Sequence, residues 1–170
     1  IGLINCAGGI LAQDPEMFEL ETPNMIAKHE YALDSAGAGR WRGGLGVETI
    51  IRFGGEESKG VVFGDGVDEE TRAFGLFGGN VGSINKMEFK FPDGSRHRPK
   101  SKEIVSDIPP GTILHQVAGG GGGYGKPALR PAEQVVREVR NGTLSLQKAR
   151  REYGVVIDPR TMALDEARTE

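Results

Sequence analysis

The apolar and polar positions alternate with a period of two over most of the chain, and this predicts strands. Lys86-Met-Glu-Phe-Lys-Phe91 is the clearest case: Met87, Phe89 and Phe91 face one side, and Lys86, Glu88 and Lys90 the other. Val47 to Phe53 is rich in β-branched residues and reads as a second strand. Phe18-Glu-Leu-Glu-Thr22, Met25 to Leu33, Gly60 to Phe63, Ile104 to Ser106 and Thr112 to Val117 supply further strands, about eight in all. Pro92-Asp-Gly94 closes a hairpin, and Pro109-Pro-Gly111 and Asp65-Gly66 are turns. Residues 1–16 read as irregular backbone, with Pro15 excluding a helix.

Near residue 127 the period changes to that of a helix. Pro131 suits a first turn, Ala132, Val135, Val136 and Val139 form a stripe, and Asn141-Gly142 ends it. A second helix carries Leu146, Ala149 and Tyr153 and is capped by Gly154. Val155 to Ile157 is a short extended piece, and the residues beyond it form a polar, partly frayed tail. The pattern thus predicts an α+β fold, predominantly β. A glycine-rich antiparallel β domain (1–126) precedes a C-terminal pair of short helices packed on it (127–158) and a polar tail (159–170).

Composition adds one unusual number: 27 glycines in 170 residues, more than double the usual share of about 7%. Two stretches concentrate them. Asp34-Ser-Ala-Gly-Ala-Gly-Arg-Trp-Arg-Gly-Gly-Leu-Gly46 holds five glycines, two arginines and the only tryptophan in thirteen residues. Ala118-Gly-Gly-Gly-Gly-Gly-Tyr-Gly-Lys126 is the other. Glycine serves where φ must be positive or where another backbone or a ligand comes close, so both read as shaped loops. A net charge of −3 with mixed signs leaves no electrostatic footprint for nucleic acid. No apolar run reaches a membrane span, no signal peptide is visible, and the single Cys6 suits a reducing compartment. The expectation is a soluble, cytoplasmic protein. A first residue of Ile1 further suggests a piece of something longer.

Few residues offer chemistry. Gly120 to Lys126 nearly spells a P-loop, but Pro127 stands where a hydroxyl is required and has no N–H to aim at a phosphate. Arg40-Trp41-Arg42 could grip a carboxylate or phosphate, or stack on the indole. The plainer reading has Trp41 anchoring the loop in the core while the arginines tie down carbonyls. His29, His97 and His115 lack metal-ligand spacing, and no partner base is identifiable for Cys6. Asp65 to Glu70 and Arg96 to Lys102 read as solvated loops. The residues alone present no catalytic constellation.

Four segments in order nevertheless carry a resemblance. Asp34 to Gly46 resembles the D-S-G-G-x-G-R-[YW]-R-G-G-x-G signature of the hydantoinase B/oxoprolinase family. Phe74-Gly-Leu-Phe-Gly-Gly-Asn-Val-Gly82 is similar to that family's G-x-x-G-G-x-x-G segment. Val117 to Pro127 is similar to its T-P-G-G-G-G-Y-G-D-P loop, and Arg130 to Val155 to its closing helices ending in A-R-x-x-Y-G-V. Ala36, Ala118 and Lys126 depart from the pattern, and Lys126 reverses a charge.

The resemblance, which covers essentially the whole chain, implies the C-terminal portion of a much longer B-type subunit. Relatives of that kind include N-methylhydantoinase B, 5-oxoprolinase and the acetone and acetophenone carboxylases. It implies an ATP-dependent, multisubunit enzyme that phosphorylates an amide or enol oxygen. The activated species is then hydrolysed, as for a hydantoin or 5-oxoproline, or carboxylated, as for a ketone. Implied partners are an actin-like, ATP-binding hydantoinase A-type subunit or domain and the remainder of the same B-type subunit. ATP, Mg²⁺ and a divalent metal are implied for the full enzyme and none for this segment, whose catalytic residues are unknown and lie mainly in the preceding portion. A non-catalytic assembly module is the other reading. The residues offered as substrate or interface candidates are Arg40, Trp41, Arg42, Gly119, Gly120, Gly121, Gly122, Gly123, Tyr124, Gly125 and Lys126.

Overall fold

The computed structural model describes residues 13–169. Of residues 1–12 it describes only two short strands, β1 (Leu3–Ile4) and β2 (Ile10–Leu11), which pair antiparallel. The Cys6 and Gly8-Gly9 region lies outside the described residues. The chain forms two compact units, and it passes repeatedly from one to the other. The first comprises residues 1–30, 48–65 and 86–117, and the second residues 31–47, 66–85 and 118–170.

The first unit is antiparallel β. Its strands are β3 (Met25–Tyr31), β4 (Val47–Arg52), β5 (Ser58–Phe63), β6 (Lys86–Lys90), β7 (Arg96–His97), β8 (Lys102–Ile108) and β9 (Ile113–Val117). A five-stranded sheet runs β3-β4-β9-β6-β7, and β5 and β8 form a separate ribbon. Phe89, Val105 and Ile108 are buried together, with Phe53, Val62, Met87, Phe91 and Leu114 against them. The alternation along β6 therefore points its aromatic face inward, as the sequence predicts. Between β6 and β7, Gly94 takes a φ of 87°, and Asp93 Oδ1 accepts from Ser95 N at 2.8 Å, which closes the expected hairpin.

One predicted strand is a helix. Residues Pro15–Glu21 form α1, with Pro15 in its first turn and Asp14 accepting from Glu16 N at 2.9 Å. Proline is tolerated there because the first N–H groups of a helix have no internal partner. The Asp14-Pro15-Glu16 start signal outweighs a five-residue alternation, and Leu20 is exposed.

The second unit carries the helices α2 (Ala132–Arg140) and α3 (Leu146–Tyr153), after a single 3-10 turn at Pro127–Leu129. Pro131 sits at the N-cap of α2, Ser145 Oγ caps α3, and Gly154 ends α3 at φ 72°. Val135, Val136, Val139, Leu144, Ala149, Tyr153, Val155 and Ile157 enclose Ala38, which is fully buried. Leu146 stays exposed, so Leu144 takes the place in the core that the sequence pattern assigns to Leu146. The tail is held rather than frayed. Ile157 bridges Leu164, Asp165 N–H donates to Val156 O, and Met162 and Leu164 pack on the helical core. Among the described residues, no helix is long and apolar enough to cross a membrane.

Candidate functional site

The glycine-rich stretches at 34–46, 74–82 and 118–126 all belong to the second unit and pack backbone on backbone. Gly37 N–H donates to Gly121 O at 2.8 Å, Gly121 N–H to Gly44 O at 2.9 Å, and Asn80 N–H to Ala38 O at 2.7 Å. Gly123 N–H donates to Asn80 O at 2.8 Å, and Leu76 N–H to Gly123 O at 2.9 Å. A Cβ on Gly43 would overlap the carbonyl of Gly121, and one on Gly122 the carbonyl of Phe74. These glycines are required because main chains replace side chains as the packed material.

The same bonds decide the fit of a phosphate. Gly119 N–H donates to Asn85 Oδ1, Gly120 N–H to Ser83 Oγ, and Gly121, Gly123, Tyr124 and Gly125 to carbonyls of the other stretches. A P-loop works by turning consecutive amides toward its ligand. Here they are turned into the protein, so the loop does not fit a phosphate.

Around Arg40-Trp41-Arg42 the structure reverses the expected roles. Trp41 is 61% exposed and so does not anchor a core. It pairs with Tyr124 by two backbone bonds, at 3.0 and 2.9 Å, and Leu76 bridges Tyr124 from the other side. The Phe77 ring lies 5.0 Å from that of Tyr124, and the Arg40 guanidinium sits 5.9 Å from the Trp41 ring centre. Extended backbone sends Arg42 to the opposite face, where it meets Glu138 of α2 at 3.6 Å instead of a carbonyl. Arg130 also pairs with Glu138 and donates to Arg40 O at 3.0 Å.

This cluster is buried and incompletely paired: Arg42 Nη1, Arg130 Nε and Glu138 Oε2 have no hydrogen-bond partner. Tyr153 beside it has its pKa pushed up to about 12, first by burial and then by the Glu138 charge. Glu138 is the residue that sequence reasoning missed. Its signal was a carboxylate falling on the apolar stripe of α2 next to Val135 and Val139, where a buried charge requires a partner.

The Asp34 end is fixed from α3. Lys148 Nζ donates to Asp34 O at 2.7 Å and Ala36 O at 2.8 Å, while Asp34 Oδ1 accepts from Ser145 N–H. Asp34 itself has a φ of 59°. An open cleft of about 500 Å³ lies alongside, lined by Asp34, Arg72, Asn80, Lys148 and Glu152 among others. Its charges are largely engaged, Arg72 with Glu69 and Glu152 with Arg151 and Asn80.

The histidines are separate and each has a partner: His29 with Thr49, His97 with Glu103, and His115 with Glu48. Glu48 is held below the usual carboxylate range by its hydrogen bond from Lys28 and then by that with His115. Among the described residues, no group of three His, Cys, Asp or Glu side chains could hold a metal ion.

What this geometry presents is a rigid backbone core carrying an aromatic tip, and comparison with known proteins places it. The profile of the hydantoinase B/oxoprolinase family matches residues 2–127. The chain belongs to the hydantoinase B/oxoprolinase family. A curated relative, the beta subunit of caprolactamase from Pseudomonas jessenii, is 35% identical over 99% of this chain and 29% of its own length. The B-type subunit of a putative D-/L-hydantoinase from Pseudomonas sp. (strain NS671) is 26% identical over 84% of this chain and 24% of its own. The chain thus spans less than a third of either relative.

The crystal structure of ATP-dependent caprolactamase from Pseudomonas jessenii superposes with a TM-score of 0.74 at 33% identity, covering 94% of this chain and 28% of that one. The nucleotide-free structure of acetone carboxylase gives the same TM-score at 22% identity, covering 95% and 25%. At that identity the likeness establishes the shared fold. The fold of this chain is thus predominantly antiparallel β with short helices, as the sequence predicts.

Proposed function

We propose that this chain is a structural portion of a B-type subunit in an ATP-dependent enzyme that opens a cyclic amide such as a lactam, a hydantoin or 5-oxoproline. The observation that carries the reading is the 35% identity to a caprolactamase subunit along 99% of the chain. The acetone carboxylase likeness is weaker in sequence, at 22%, so ring opening takes precedence over ketone carboxylation. On this reading the amide oxygen receives the γ-phosphoryl group of ATP, ADP leaves, and water then cleaves the weakened C–N bond and releases phosphate. The amides of Gly119, Gly120, Gly121, Gly123, Tyr124 and Gly125 are already committed within the protein. ATP, Mg²⁺ and a divalent metal therefore belong to other parts of the assembly, including a hydantoinase A-type subunit.

The chain's own work is scaffolding. Its interlocked glycine backbone and the Arg42–Glu138–Arg130 cluster hold one wall of the subunit rigid, which keeps reacting groups borne elsewhere in register. The test is to replace the matching segment of the caprolactamase beta chain with this chain and assay it with its partner subunit. Caprolactam, hydantoin and 5-oxoproline are offered in parallel with acetone plus bicarbonate, and ADP and ring-opened product are followed. ATP-dependent ring opening is expected. Carboxylation of acetone without ring opening would overturn the reading.

A further inference from the structure

The aromatic tip stands exposed on the second unit, and its form is that of a docking surface. Trp41, Leu76 and Tyr124 lie side by side on three hydrogen-bonded segments, and the Phe77 ring adjoins Tyr124. Their exposures are 61%, 48%, 49% and 75%, so a contiguous apolar face is left open to water. The backbone beneath is locked by the interlocking glycines, so the rings are pre-positioned and little conformational entropy remains to be lost on contact. Tryptophan, tyrosine and arginine are also the residues that dominate binding energy at interfaces. Arg40 lies over Trp41, and neither Arg40 nor Lys126 has an ion-pair partner among the described residues. The face is thus apolar with cations beside it, and a complementary surface presents apolar side chains bordered by carboxylates.

We infer that this face is covered by a segment of the same B-type polypeptide lying outside these 170 residues. The inference rests on the proposed function above. Two observations select this occupant over a separate subunit. Relatives extend far beyond the matched region, since the chain spans 29% and 24% of their lengths. A rigid, largely apolar face also suits a permanent contact, whereas interfaces between separable partners are more polar.

The experiment is hydroxyl-radical footprinting of the caprolactamase beta chimera, read residue by residue by mass spectrometry, with buried Tyr153 as the internal reference. In the isolated chain, Trp41, Phe77 and Tyr124 oxidise rapidly. In the chimera alone, their rates fall to that of Tyr153. Unchanged rates in the chimera overturn the inference, as does protection that arises only when the partner subunit is added. Protection in the isolated chain through self-association overturns it equally.

Should the chimera not fold, the isolated chain still decides. Trp41→Ala and Phe77→Ala leave its melting temperature unchanged if the face exists for docking, and a clear fall assigns these rings to the chain's own stability and overturns the proposal. Ring-opening activity of the chimera separates the two readings. An active chimera with an oxidisable Trp41 refutes the docking and leaves the function standing, and a folded, inactive chimera with Trp41 protected does the reverse.

Discussion

At Gly43 an added methyl group would collide with the Gly121 carbonyl, and main chain cannot move aside as a flexible side chain can. Gly43→Ala should therefore cost about 3 kcal/mol and lower the melting temperature by roughly 10 °C. Gly64→Ala, with nothing within 4 Å of the new methyl, should leave it unchanged. Differential scanning calorimetry of the two variants checks both.

Tyr153 gives a second residue-scale outcome. Its folded pKa is raised from 10 to about 12 by burial. Below pH 10 both states are protonated and nothing changes. Between pH 10 and 12 the unfolded phenol ionises while the folded one does not, so stability falls by about 3 kcal/mol across that window. Urea titrations at these pH values should show the fall, and Tyr153→Phe should flatten that component. The density of glycine was plain in the sequence, but the direction of Trp41 was not. An extended segment exposes alternate side chains, and nothing local sets which set faces out; the Arg42 partner, Glu138, lies on a distant helix.

Among the elements, α2 and the sheet carry charges whose removal has distinct signatures. Glu138→Gln would leave Arg42 and Arg130 buried without their shared carboxylate, and should destabilise the chain by about 3 kcal/mol. Chemical denaturation measures this, and an unchanged midpoint would show that the cluster holds nothing.

On the sheet, Lys28, Glu48 and His115 join β3, β4 and β9. The Glu48 pKa is lowered from 4.5 by its hydrogen bonds, so the stabilisation is complete above pH 4.5 and is lost as pH falls through the lowered value. Glu48→Gln should lower stability at neutral pH, flatten this part of the acid limb of the stability curve, and leave stability little altered at acid pH, where Glu48 is already protonated. Elements with long or repeated patterns, such as β4, β6 and the capped helices, were legible in advance. The helix α1 was not, because its seven residues bury no side chain and its identity rests on the Asp14 cap and Pro15.

For the whole molecule, family membership was legible because four motifs keep their order. The candidate site was less so. The Gly119 to Lys126 loop looks ligand-ready in sequence, yet folding spends most of its amides on the Asn85 and Ser83 side chains and on neighbouring main chain. Only the partners contributed by residues 41–44 and 76–85 show this, and no local pattern encodes them.

The proposed function makes the chain a part that works inside a larger catalyst. The most direct test of that claim is an ATP-dependent ring-opening assay of the isolated 170-residue chain beside the caprolactamase beta chimera, both with the partner subunit present. The isolated chain should release no ADP and open no ring, while the chimera turns substrate over. Hydrolysis of 5-oxoproline, a hydantoin or caprolactam by the isolated chain in that assay would contradict the account.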